Sequence, residues 1–141
     1  MSADWVMMLP SSVFTRIKVK MPKELKSGNT TIKLTSSNFS TVGSINTSAV
    51  FPFIYVQSLS ATEQGRDLEG MNINGALFTF QVDVIDNKSQ SNARVVMTEI
   101  IKIMKSMRFE IIAMPSFEGT QDNTHRMTAR FRRLMGANDI L

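Results

Sequence analysis

The segment "HRMTARFRRLM", residues 125–135, concentrates four arginines in eleven residues. A guanidinium group is always charged, and its planar fork of donors matches a carboxylate or a phosphate with two parallel hydrogen bonds. The segment therefore suits two kinds of chemistry: salt-bridged assembly with acidic groups, or contact with a nucleic-acid backbone. Catalysis is less well served. His125 is the only histidine and there is no cysteine. That excludes thiol chemistry, disulfides and cysteine-built zinc sites, and removes most histidine-built metal sites and catalytic dyads. His125 itself reads as a plain surface or edge-strand residue. Glu63, Asp67 and Glu69 gather in "EQGRDLEG" and could serve general acid/base work or a hard cation. With no histidine, cysteine or further acidic triad converging on them, they read as a solvated loop. The glycines of "GRDLEGMNING" neither follow a strand nor open a helix at phosphate-loop spacing, so nucleotide binding is unsupported. The expectation is a protein that is not an enzyme and uses no metal or cofactor.

The arginines must be placed by an element. Alternation of Met127, Ala129 and Phe131 with Arg126, Thr128, Arg130 and Arg132 predicts a strand, apolar residues inward and the arginines in one outward row. Alternate residues on a strand stand about 7 Å apart, so such a row repels itself unless water, phosphate or carboxylates lie opposite. Phosphate contact calls for a larger basic footprint with exposed aromatic rings interleaved, and the aromatics here fall mostly on inward faces. Pairing with acids of a neighbouring copy fits the segregated charge better. Acids cluster at Glu63, Asp67 and Glu69 and around Asp83 and Asp86, away from the arginines.

The remaining elements follow from periodicity. "SSVFTRIKVKMPKELKS" (11–27) carries apolar residues every four positions (Val13, Ile17, Met21, Leu25) and reads as a helix capped by Ser11 or Ser12, with Pro22 as a kink or stop. Alternation of Val19 and Met21 with lysines offers a strand instead. "TTIKLTS" is a short strand candidate, the Ser-rich 35–49 region reads as loop, and "FPFIYVQSL" (51–59) as strand. Residues 60–75 form a long loop. "ALFTFQVDVID" (76–86) turns Phe78, Phe80, Val82 and Val84 to a core and Thr79, Gln81 and Asp83 to water or a partner. "NKSQSNARVVMTEIIKIMKSM" is an amphipathic helix capped by Ser89 or Ser91, burying Ala93, Val96, Met97, Ile100, Ile101, Met104 and Met107. "FEIIAMP" (109–115) is a strand ended by Pro115, and "SFEGTQDN" a loop. The order predicts an α+β fold: a mainly antiparallel sheet with helices packed on one face.

The chain has 141 residues, 43% hydrophobic and 20% charged, with net charge +4. That suits one soluble globular domain spanning 1–141. No apolar run approaches the roughly 18 residues of a membrane span, so no membrane is expected. The N-terminus has Asp4 where a signal peptide would carry positive charge, which implies use in cytosol-like conditions.

Taken in order, "VFTRIKVKMPKELKS", "FPFIYVQ", "DLEGMNINGALFTFQVDVID", "SNARVVMTEIIKIMKSMRFEIIAMP" and "RMTARFRRLMG" resemble the tail terminator (tail completion) proteins of long-tailed bacteriophages, prophages and phage-tail-like particles, from about Val13 to Asn138. The resemblance implies a sheet flanked by helices and a homo-oligomeric ring, typically a hexamer. That ring caps the tail tube, ends its polymerisation and presents the surface for head joining. It implies as partners further copies of the chain, the tail tube protein and a head completion or connector protein, with DNA passing through the lumen. It also implies a place in the virion neck after assembly in the host cytoplasm. It carries over no catalytic residue. Charge placement makes Asp67 and Glu69 of the acidic loop, with Arg126, Arg130, Arg132 and Arg133, the candidates for subunit or lumen contacts. The alternative is a nucleic-acid-binding module that uses the arginine strand.

Overall fold

The computed structural model of the chain describes residues 4–41, 50–59, 61–64, 75–121, 124–136 and 139–141. Helix α1 (Asp4–Lys20) leads into a hairpin of β1 (Glu24–Ser27) and β2 (Thr30–Lys33). A short 3-10 turn precedes β3 (Phe39–Ser40). Then come β4 (Phe53–Ser58), β5 (Thr62–Gln64), β6 (Gly75–Asp86), helix α2 (Gln90–Ser106), β7 (Glu110–Gln121) and β8 (Thr124–Gly136). The main sheet has the order β3-β4-β6-β8-β7, with β5 also pairing with β6. Every pairing is antiparallel except the two-residue β3–β4 contact, which is parallel. The fold is the expected α+β arrangement with both helices on one face.

Strand β6 shows why that face is covered. Ala76, Phe78, Phe80, Val82 and Val84 are all buried, because alternate residues point the same way. Across the ladder Val82 faces Ala129 and Phe80 faces Phe131, so β6 and β8 together form the apolar floor. Helix α2 lays Ala93, Val96, Met97, Ile100, Ile103 and Met104 on it; Ile103 is buried where the helical stripe predicts Ile101, which is only half-buried. The Ser89 hydroxyl caps α2 by accepting from the Asn92 N–H at 3.2 Å. One step earlier the buried Asp86 carboxylate accepts from the Lys88 and Ser89 N–H groups at 3.0 and 2.9 Å, turning β6 into the helix.

Helix α1 begins seven residues before the predicted caps Ser11 and Ser12 and runs through Pro10. An interior proline costs about 3 kcal/mol. Burial of Leu9, and partial burial of Trp5 edge-on to Phe78 at 5.9 Å, returns an amount of the same order. Leu9, Val13 and Ile17 are its buried stripe, and the helix stops at Lys20, just before Pro22. Residues 24–27, predicted as helix, are a strand. Gly28 takes φ +61 at the first position of a two-residue turn, which favours glycine and closes the β1–β2 hairpin. Leu25 and Ile32 then face each other, both buried. Strand β7 runs past Pro115 to Gln121 instead of ending there. It is an edge strand whose register shifts on both sides of the proline; an edge tolerates a missing donor, and bulges absorb the misfit.

A candidate interaction surface on the sheet

The face of the main sheet opposite the helices carries no helix among the described residues, and the arginine row stands on it. In the β6–β8 register Thr79 faces Arg132, Gln81 faces Arg130 and Asp83 faces Thr128. On the outer side of β8, Glu110 of β7 faces Arg132, while Ala113 and Ser116 face Arg130 and Thr128. Antiparallel pairing thus delivers two acids and an amide to within side-chain reach of three arginines.

Each arginine has a different partner. Arg126 ion-pairs with Asp83, whose other oxygen accepts from the Thr128 hydroxyl at 2.7 Å and from the Gln81 amide at 3.3 Å. Asp83 is fully buried, so the polar face predicted to meet water is sealed at this point by its own network. Arg132 ion-pairs with Glu110, both side chains about half exposed. Arg130 donates from Nε to the Gln81 Oε1 at 3.0 Å and meets no acid among the described residues. Arg133 points the other way, to the helix side, where it donates to the Met107 carbonyl at 2.8 Å and the Ile140 carbonyl at 3.1 Å. It thereby caps the C-terminal end of α2 and ties down the last residues.

Around Arg130 the face is concave. A hollow of about 490 Å³ lies between Ala113, Met114 and Ser116 of β7 and Arg126, Thr128 and Arg130 of β8. Met114 is 72% exposed at its rim, and Leu134 further along β8 is 59% exposed. A second hollow of about 400 Å³ lies at the end of α2 by Arg108, Glu110, Arg132 and Arg133. Arg108 there has φ +64 and closes both bonds of a Schellman turn, Arg108 N–H to Lys105 and Phe109 N–H to Met104.

The other predicted residues separate from this surface. Asp67 and Glu69 lie outside the described residues. Glu63 is exposed on β5, which pairs with β6 on the side away from β8. His125 faces Asp86 in register, but Asp86 is engaged by backbone N–H groups, and the buried His125 Nδ1 has no hydrogen-bond partner among the described residues. Among those residues no three His, Cys, Asp or Glu side chains converge as a metal site.

Sequence reasoning finds the arginine row and misses what neutralises it. Asp83 reads as outward, Glu110 draws no notice, and Arg133 is grouped with arginines of the opposite face. The last error was avoidable, because Arg132 and Arg133 are adjacent and adjacent strand residues face opposite ways. The surface can accept anionic groups through Arg130 and apolar groups through Met114 and Leu134. Comparison with known proteins returns no match, either to a protein-family model or to a curated protein.

Proposed function

We propose that the chain is a structural subunit that assembles with further copies into a ring, probing a tail tube end through its exposed surfaces and capping it. The reading joins the resemblance to tail terminator proteins to one structural observation: a sheet with helices on one face and, on the other, an arginine row interspersed with the exposed apolar residues Met114 and Leu134. Mixed charged and apolar exposure of this kind suits a protein partner. The ring would occupy the growth interface of the tube and so end polymerisation. Its other face would receive the head completion or connector protein, and DNA would pass through the lumen. Closure supplies the strength, since each weak contact is repeated around the symmetry axis.

The nucleic-acid alternative draws on fewer free charges than the sequence suggests. Arg126 and Arg132 are already paired with acids and Arg133 lies on the other face, while phosphate-driven binding relies on several uncompensated cations. Negative-stain electron microscopy of the purified chain, alone and with tail tubes, tests the reading. Rings, or a cap at one end of each tube, are the expected result. Monomers that ignore tubes would overturn it, and salt-dependent retention on random-sequence DNA would then favour the alternative.

A further inference from the structure

The described charged side chains of the main sheet can be matched one by one. Asp83 pairs with Arg126 and Glu110 with Arg132. Asp86 accepts from two backbone N–H groups, and Arg133 donates to two carbonyls. With Asp86 buried and Arg133 only partly exposed, two exposed formal charges remain without an opposite charge among the described side chains of the sheet: Arg130 on β8 and Glu63 on β5. They are of opposite sign and lie on opposite flanks of β6, Glu63 facing Ala76 and Arg130 facing Gln81. That offset is about 17 Å along the strand and about 10 Å across it, too far for one copy to join them.

Charges that cannot meet within a copy can meet between copies. A contact between two different patches is heterologous, and repeated with a closing rotation it generates a ring. The hollow suits a carboxylate in detail. The Gln81 amide oxygen holds Arg130 Nε at 3.0 Å and orients the guanidinium, leaving the terminal Nη groups without a partner among the described residues. Ser116 adds a hydroxyl, the Thr128 hydroxyl being already engaged by Asp83, and Met114 offers an apolar wall to a glutamate's carbon stem. Arg126 beside it is neutralised by Asp83, so the hollow presents one net positive charge, matching a single carboxylate better than a run of phosphates. We infer that Glu63 of one copy seats in the Arg130 hollow of the next, and that this pair sets the head-to-tail register of the assembly. The inference rests on the ring reading above and names the contact that would close it.

The test uses the full chain and reads assembly by sedimentation velocity, or by capped tube ends where assembly needs tubes. Glu63→Arg and Arg130→Glu each place like charges together and should weaken self-association on the order of tenfold or more. The double variant restores an opposite-charge pair, and so does an equimolar mixture of the two single variants, which can alternate around a ring. Both side chains are exposed, and unchanged melting temperatures would show that the folds persist. Loss in each single variant with recovery in the double variant or the mixture supports the pair. Single variants that assemble like the wild type overturn the pair and leave the ring reading standing. Loss without recovery in either combination shows that the two residues do not meet each other. A wild-type chain that stays monomeric with and without tubes overturns both.

Discussion

Arg126 and Arg132 stand on the same strand face and both meet acids of their own chain, yet they contribute differently to stability. Asp83 is fully buried, and removing one partner of a buried charge leaves the other desolvated and unpaired. Glu110 and Arg132 are both substantially exposed, where ion pairs contribute little. Arg126→Ala should therefore lower unfolding stability by about 1–3 kcal/mol, the Thr128 and Gln81 hydrogen bonds softening the loss. Arg132→Ala should stay within about 0.5 kcal/mol of the wild type. Urea denaturation of the two variants side by side checks the contrast, and equal losses would contradict the burial argument.

At the scale of elements, the two ends of α2 show how local chemistry fixes a boundary. Ser89 caps the start, and Arg108 closes the end in a left-handed conformation that glycine adopts more readily. Arg108→Gly should raise stability by up to about 1 kcal/mol, because relief of the Cβ penalty exceeds the added entropy of the unfolded chain. A melting temperature that falls instead would show that the Arg108 side chain holds the end of the helix through contacts of its own. The same scale explains where elements read from sequence went astray. Residues 53–58, 75–86 and 90–106 follow their own periodicity and are legible without context. The start of α1, strand β1 and the passage of β7 through Pro115 depend on what each segment packs against, and local signals there point the wrong way, whereas β2 lies within the predicted strand "TTIKLTS".

For the whole molecule, one hydrophobic cluster joins α1, the hairpin, the main sheet and α2. Unfolding should accordingly be a single cooperative transition. Trp5 is the only tryptophan and sits in α1 against Phe78, so its fluorescence reports docking of that helix while far-UV circular dichroism reports the whole. The two thermal transitions should coincide; earlier loss of the fluorescence signal would mean that α1 detaches from the rest. The sequence by itself determined the α+β class, the amphipathic helix 90–106, the buried face of β6 and the outward arginine row, because each is written in the spacing of neighbouring residues. Only the tertiary structure decided which charges are spent. Asp83 and Arg126, or Glu110 and Arg132, become partners through strand register across tens of residues, and register is fixed by packing of the apolar face. That is why Arg130, indistinguishable from its neighbours in the sequence, emerges as the arginine of the row that meets no acid among the described residues.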